Sequence, residues 1–252
     1  MRDTRTPERK NRDRQVGRRA EEVASWYFRL NGFLCLPGFV VHLDQDKAER
    51  TEDGTPVYQR TEADLIGVRF VESKEIIFSF GNQKVMIDDH VLTNLCPSTK
   101  EALFVLVEVK SGLCMMNGPW TNRRKENMQR VIRRLGFALD EDQVQEIADD
   151  MYTTGRFEDE HYVMQYICVG NEKNHGINYQ HKYVSQINWV EIGNFLIERF
   201  KSFPEKTPDG QVHEQWPEFG KTFGRWISLQ LRTGGTVDPT VIYRYIQTGT
   251  LN

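Results

Sequence analysis

The stretch ALFVLVEVK, Ala102 to Lys110, contains the most strand-like segment of the chain. Its first eight residues are β-branched or apolar except for Glu108, which is typical of a strand covered on both faces. Side chains alternate between the faces of a strand, so Glu108 and Lys110 project to the same side. Because an unpaired buried charge is unfavourable, we expect the strand to leave the core and open into a cleft at Glu108. The alternative is an ordinary, mutually neutralising ion pair at a strand end.

A second predicted strand, EADLIGVRF (Glu62 to Phe70), carries a similar feature. Glu62 and Asp64 share one face and precede an apolar Leu-Ile pair. If this strand lies beside the first, carboxylates gather at neighbouring strand ends, and such a cluster is stable chiefly around a divalent cation. Carboxylates, a main-chain carbonyl and water suit Mg²⁺ or Mn²⁺. Lys110 beside the metal could orient or deprotonate an attacking water.

A helix is predicted from Gln15 to Leu30, closed by Asn31-Gly32. Its buried stripe at helical spacing comprises Ala20, Val23, Ala24, Tyr27 and Leu30. Glu21 lies at the edge of this stripe and can reach into a cleft, whereas Glu22 points outward. Alternatively, both glutamates are solvated helix-forming residues.

Three motifs in this order resemble those of the PD-(D/E)xK nuclease superfamily. They are Gly-x-x-Ala-Glu (Gly17 to Glu21), Glu-x-Asp-Leu-Ile (Glu62 to Ile66) and Val-Glu-Val-Lys (Val107 to Lys110). The resemblance is greatest to the branch of Holliday-junction resolvases, Mrr-type restriction endonucleases and small bacterial relatives of unassigned role. It covers roughly residues 15 to 140.

The resemblance implies a restriction-endonuclease-like α/β fold, Mg²⁺ dependence and hydrolysis of phosphodiester bonds in DNA. By position, Asp64 and Glu108 match the metal ligands, and Glu62 is a further candidate ligand. Lys110 matches the catalytic lysine, and Glu21 matches a helical glutamate that supports the metal site.

The expected architecture is a mixed central sheet flanked by helices. Residues 1–14 form a basic flexible arm, 15–200 the nuclease-like core and 201–252 a helical extension with a polar end. An insertion at 71–101 contains a hairpin from IIFSF and KVMI. The segment FLCLPGFVVHL forms one or two strands around a Pro37-Gly38 turn.

The helix predicted from NRRKENMQRVIRRLGF follows the proposed catalytic strand and supplies candidate nucleic-acid-binding residues. These are Arg123, Arg124, Lys125, Gln129, Arg130 and Arg133. Arg134 adds to the same positive charge, and the acidic segment from Asp140 to Glu160 is expected to face away from nucleic acid. A solvated amphipathic helix is the alternative. Trp120 is either a ring that stacks on a base or a buried anchor.

The composition and the cysteine spacing narrow the class of protein to which the chain can belong. Hydrophobic residues make up 38% and charged residues 27% of the 252 positions, which is typical of a globular chain. Four widely spaced cysteines without a CxxC pair argue against a zinc ribbon or disulfide framework and favour a reduced, cytoplasmic protein.

We expect no membrane partner, and a homodimer is compatible with the sequence. Two rival functions remain: a nucleic-acid-binding protein without turnover, and a metal-dependent nucleotide phosphohydrolase.

Overall fold

The structure, a computed structural model, describes residues 6–41, 49–50, 56–57, 61–79, 82–202 and 216–251, with the backbone alone at 49–50, 56–57, 77–79 and 82. In chain order the elements are α1 (Pro7–Leu30), β1 (Leu34–Val41), β2 (Glu49–Arg50), β3 (Pro56–Val57), β4 (Thr61–Phe70), β5 (Ile76–Ser79), β6 (Asn82–Val85), α2 (His90–Thr93), β7 (Ala102–Val109), α3 (Gly118–Thr121), α4 (Asn127–Leu135), α5 (Glu141–Thr154), β8 (Arg156–Glu158), β9 (Tyr162–Gly170), α6 (His175–Gln180), β10 (Ser185–Asn188), α7 (Trp189–Lys201), α8 (Glu218–Thr233) and α9 (Val241–Thr248).

A mixed six-stranded sheet forms the centre of the molecule. Its main order is β1-β4-β7-β9-β10, and β8 pairs with β9. Strand β4 is antiparallel to both of its neighbours, β1 and β7, whereas β7, β9 and β10 run parallel. Strand β7 is buried along its whole length, as its apolar sequence predicts.

Helices cover both faces of this sheet. Helices α1, α7, α8 and α9 share one core with the odd-numbered residues of β7, such as Val105 and Val107. Helices α4 and α5 share a second core with its even-numbered residues, such as Phe104 and Leu106. The mixed α/β architecture with a central sheet flanked by helices is therefore confirmed.

Helix α1 is longer than predicted. It begins at Pro7, where Thr6 caps the first turn by accepting a hydrogen bond from the Arg9 backbone, and it ends at Leu30. Proline is favoured in the first turn of a helix because its missing N–H is not needed there. Residues 7–14, which we assigned to a flexible arm, are therefore helical, while residues 1–5 of that arm lie outside the described residues.

The Pro37-Gly38 turn was also predicted wrongly. Both residues lie within the single strand β1, which pairs with β4 from Leu34↔Val68 to Val41↔Thr61. Gly38 has a positive φ of 61°, a conformation that glycine adopts without steric cost. The two residues therefore distort the strand locally without reversing it; the His42 and Leu43 of the predicted segment lie outside the described residues.

The insertion contains the predicted hairpin, β5 and β6. After it, Asp89 caps α2 by accepting a hydrogen bond from Val91 N–H, and its other carboxylate oxygen accepts one from the buried Tyr27 hydroxyl at 2.8 Å. Asp88 forms an ion pair with Arg69 at 2.7 Å. These contacts join the insertion to the main core.

The last part of the chain is helical to near its end, contrary to the polar end that we predicted. Helix α9 buries Val241, Ile242, Tyr245 and Ile246. Arg19 of α1 donates to the carbonyls of Ile246 and Gln247 at the end of α9. The C-terminal helices are thus part of the core on the α1 face, although residues 203–215 are outside the described part of the chain.

The predicted helix from Asn122 to Phe137 is interrupted. A short 3₁₀ helix, Arg123–Lys125, is followed by Glu126 with a positive φ of 51°, and α4 begins only at Asn127. The helical spacing predicts that Met128, Val131, Ile132 and Leu135 face inward. The first three are buried and Leu135 is half-buried against the same core, so the spacing identified the face of α4 correctly. Among the described helices, none is long and apolar enough to cross a lipid bilayer.

Candidate functional site

The site forms where β4 and β7 separate. Their backbone pairing ends at Leu65↔Val107, one residue before Asp64 and Glu108. The next N–H group of β7, that of Val109, donates instead to the Asp64 carboxylate at 2.6 Å. Two strands that carry carboxylates thus diverge at the position where the sequence predicted a cleft.

Glu108 is the most deeply buried acidic residue of the site, with only 1% of its side chain exposed. Its Oε1 accepts a hydrogen bond from the Lys110 ammonium. Its Oε2 is buried and has no hydrogen-bond partner among the described residues. Burial first, and the Asp64 carboxylate second, raise the pKa of Glu108 from its ordinary 4.5 to about 7 despite the attraction of Lys110.

Lys110 lies at the opening of the site, with 37% of its side chain exposed. Partial burial acts to lower its pKa, but the Glu108 carboxylate and its hydrogen bond act in the opposite direction, and the net pKa is raised. Lys110 therefore carries a proton at neutral pH. This state suits a role in orienting water or stabilising negative charge better than a role as a general base.

Asp64 lies between these groups and β1. Burial raises its pKa, and the hydrogen bond from Val109 N–H and the charge of Lys110 partly offset this effect. A carboxylate held by a backbone N–H has a fixed orientation. Asp64 therefore has the defined position that a ligand or catalytic carboxylate requires.

Glu21 of α1 faces the same group. More than a third of its surface is exposed, yet partial desolvation and then the carboxylates of Asp64 and Glu62 raise its pKa to about 7. Lys110 acts to lower it. Hydrogen bonds bring Asp64, Glu108 and Lys110 together, and the pKa of Glu21 responds to the charges of Asp64, Glu62 and Lys110.

Glu62 is placed differently from our expectation of a further metal ligand. Its Oε1 lies 2.9 Å from the point that a Cβ at Gly38 would occupy, so its carboxylate lies over β1. No group of three or more His, Cys, Asp or Glu side chains in the described residues is arranged to hold a metal ion. The described residues therefore do not form a preorganised metal site from Asp64, Glu108 and Glu62. Lys110 binds one oxygen of Glu108, and the Glu62 carboxylate lies over β1.

The arginines near α4 are partly neutralised by α5. Arg123 forms an ion pair with Asp149, and Arg133 forms a bidentate pair with Glu141, whose closest contact is 2.6 Å. The acidic helix α5 therefore packs against the arginines that we expected to bind nucleic acid. We had expected the acidic segment to face away from nucleic acid. Arg124 is exposed, whereas Lys125 and Arg130 have interactions of their own.

Gln129 was predicted wrongly as a nucleic-acid contact. Only 5% of the residue is exposed, and its amide joins Gln145 and the Tyr152 hydroxyl, each at 3.3 Å. Its side chain points toward α5, because both of its hydrogen-bond partners lie on that helix. Of the two alternatives for Trp120, the structure has the buried anchor, since only 1% of the residue is exposed, and its ring cannot stack on a base.

Two residues near the site were not identified from the sequence. Tyr166 on β9 lies on the same face of the sheet as Glu108, and its buried hydroxyl has no hydrogen-bond partner in the described part of the chain. Burial and the charge of Glu108 raise its pKa well above its ordinary value. Gly38 lies opposite Asp64 in β1, between the pairs Pro37↔Leu65 and Phe39↔Ala63. A lone tyrosine in a buried strand was the only available signal for Tyr166, and the positive φ of Gly38 could not be read from the sequence.

Comparison with known proteins adds no family assignment. No protein-family model matches the chain, and neither curated proteins nor solved structures gave a significant match. The functional argument therefore rests on the chemistry of the site.

Proposed function

We propose that the protein is a metal-dependent nuclease that hydrolyses phosphodiester bonds in DNA, with Mg²⁺ or Mn²⁺ as its cofactor. The restriction-endonuclease-like form of the fold belongs to this proposal. The mixed sheet, with carboxylates at the ends of two antiparallel strands and a glutamate from the first helix, is compatible with it.

One observation carries the proposal: Glu108 buries an oxygen without a hydrogen-bond partner among carboxylates that disfavour its charge. An unsatisfied buried acceptor is destabilising, and polar groups of this kind concentrate at functional sites. A hard divalent cation between Glu108 and Asp64 would satisfy that oxygen and offset the repulsion between the carboxylates. The donor atoms present therefore fit such an ion.

Each residue of the site would have a separate role in phosphodiester hydrolysis. A bound divalent cation would neutralise charge on the phosphate and increase the acidity of a bound water. Asp64 and Glu108 would hold the ion, with Asp64 oriented by its bond to Val109 N–H. The Lys110 ammonium would move from Glu108 toward the attacking water or a phosphate oxygen and stabilise negative charge there. Glu21, whose pKa lies near neutrality, could accept a proton at the edge of the site.

The test is a cleavage assay on the full chain. Plasmid, linear duplex, single-stranded DNA, a branched junction, RNA and free nucleotides are incubated with Mg²⁺, Mn²⁺ or EDTA. Wild type should cut at least one form of DNA, and Lys110→Ala and Glu108→Ala should lose that cleavage while remaining folded. Lys182→Ala is the control, because Lys182 precedes β10, which β9 separates from β7 and β4, and its ammonium lies over the Tyr183 ring. Equal cleavage by wild type and both site variants would remove the proposed site.

A nucleic-acid-binding protein without turnover is the second candidate. The observation that favours it is the absence, within the described residues, of a preformed group of three metal ligands. This candidate predicts DNA binding that is unchanged by EDTA and no product from any substrate in the panel. Turnover of nucleotides alone would instead indicate a phosphohydrolase.

A further inference from the structure

Helix α1 carries two arginines in line with Glu21. Its first buried residue is Val16, so the turns before it extend beyond the packed part of the helix. At about 100° of rotation per residue, Arg14 lies about 20° and Arg18 about 60° from Glu21 around the helix axis. The two arginines therefore share a side of α1 with the candidate site.

Neither arginine is bonded to the rest of the described protein, although the charge of Arg18 acts to lower the pKa of Tyr245 on α9. Both are exposed, and neither forms an ion pair or side-chain hydrogen bond with any described residue. Their neighbour Arg19, by contrast, is bonded to the end of α9. Like charges four residues apart on a helix repel each other; Glu21 and Glu22, three and four residues on, favour Arg18 in the helix, but Arg14 has no acidic residue at these spacings.

Gly17 lies on the same side of the helix and is also not required by packing. It is within the helix, and a Cβ at this position would meet no atom within 4 Å. Glycine is unfavourable inside a helix relative to alanine, so its presence here weakens α1. Because glycine has no side chain, another molecule can approach the helix backbone closely at this position.

We propose that Arg14, Gly17 and Arg18 form a phosphate ridge, along which the backbone of bound DNA runs toward Glu21 and the carboxylate site. This proposal rests on the proposed function, because it identifies the surface that holds the substrate. Arg14 lies seven residues before Glu21, about 10 Å along the axis at about 1.5 Å per residue. That distance corresponds to roughly three phosphates of one strand when they are counted at about 3.4 Å each along the axis of the duplex.

The ridge differs electrostatically from the arginines near α4. Arg123 and Arg133 have carboxylate partners on α5, so binding a phosphate would require those pairs to be exchanged. Arg14 and Arg18 would exchange only water and counterions. The release of counterions is the main source of affinity in sequence-independent DNA binding.

The experiment measures binding of the full chain to a short fluorescent DNA duplex in EDTA, over about 50 to 200 mM salt. The test variant is Arg14→Gln/Arg18→Gln. Its matched control is Arg9→Gln/Arg12→Gln, which makes the same charge change on the same helix. Arg9 and Arg12 are exposed and lie about 120° and 180° from Glu21 around the axis. Arg123→Gln/Arg133→Gln tests the competing surface.

The ridge variant should bind about tenfold more weakly at intermediate salt and reduce the slope of log affinity against log salt by about 2, because each lost phosphate contact removes about 0.9. The matched control should keep the wild-type slope. An unchanged slope in the ridge variant, an equal loss in the matched control or a greater loss in the α4 variant would overturn the proposal, as would no DNA binding by wild type.

Gly17→Ala gives an independent test that a folding defect cannot imitate. It should raise Tm by about 2 to 4 °C while weakening DNA binding by about threefold. A more stable protein with unchanged affinity would argue against close approach at Gly17. The cleavage panel separates the two proposals: if wild type binds DNA and the ridge variant shows the expected loss, but wild type cleaves no substrate with Mg²⁺ or Mn²⁺, the nuclease proposal fails and the ridge remains.

Discussion

Replacing Glu108 with glutamine tests the electrostatic basis of the site without requiring a substrate. Glutamine has nearly the same shape as glutamate but no charge. The buried carboxyl has a pKa of about 7 in the folded protein, against an ordinary 4.5. Between these values the folded state binds more protons than the unfolded state, so the free energy of unfolding falls as pH rises through this window.

The magnitude follows from the pKa difference. At about 1.4 kcal/mol per pKa unit, ionising Glu108 in the folded protein costs on the order of 3 kcal/mol by pH 8. This value already contains the attraction of Lys110, because that interaction contributes to the pKa. Allowing for relaxation around the site, we expect Glu108→Gln to stabilise the metal-free protein by about 2 kcal/mol at pH 8, or about 4 to 8 °C in Tm. At pH 4 the difference should be near zero, because the carboxyl is then protonated in both states.

Thermal unfolding in EDTA from pH 4 to pH 8 measures this effect, and the measurement is then repeated with Mg²⁺. Saturation with Mg²⁺ at about 100 times its Kd should stabilise wild type by about 2.7 kcal/mol and leave Glu108→Gln nearly unchanged, which reverses the order of stability. Glu141→Gln is the matched control, since Glu141 is exposed and its hydrogen bonds with Arg133 lower its pKa. That control should not gain stability at pH 8.

Two results would refute the reasoning. If Glu108→Gln is less stable than wild type at pH 8 in EDTA, the ionised carboxylate stabilises the fold and its environment is not the costly one described here. If Mg²⁺ leaves the unfolding of wild type unchanged, Glu108 and Asp64 do not hold this ion.

Two further predictions concern the stability of the fold, and the second has a matched control. Tyr27→Phe removes the buried hydrogen bond to Asp89 and should lower the free energy of unfolding by about 2 kcal/mol in urea denaturation; an unchanged value would mean that this bond does not hold the insertion to α1. Gly155→Ala should destabilise by about 2 kcal/mol or more, because its φ is +79° and the new Cβ would lie 2.3 Å from Val184 Cγ2. Gly136→Ala, with φ +74° and open space around its Cβ, should cost only about 1 kcal/mol, and equal losses at the two positions would contradict the steric argument.

Much of the fold could be predicted where a segment has one strong hydrophobic pattern. The bounds of β7 match the predicted strand, and β4 differs from its prediction by one residue. The stripe of α1 from Ala20 to Tyr27 is buried as expected. These elements bury large apolar surfaces, so their sequence pattern is set mainly by the core they face.

Prediction failed where a short-range signal competed with tertiary contacts. Pro37-Gly38 is a common turn signal, but pairing with β4 on either side keeps β1 extended. Helix α9 has a short apolar stripe that was overlooked among polar residues, and it is stabilised by packing on α1 and α7. Residue spacing predicted the face on which Glu21, Asp64 and Glu108 each lie, and the family resemblance implied that they meet. The position of the Glu62 carboxylate over β1 could not be predicted, because it depends on the absence of a side chain at Gly38.

A cluster of basic residues in the sequence does not by itself identify a DNA-binding surface. The segment from Arg123 to Arg134 has the higher local density of cations, yet α5 brings Asp149 and Glu141 against it. Arg14 and Arg18 are fewer, but no carboxylate among the described residues pairs with them. Since an arginine must lose its existing partner before it binds a phosphate, the arginines without ion pairs should contribute more affinity per residue. If the protein binds DNA, its salt dependence should therefore follow substitutions on α1 more closely than substitutions near α4.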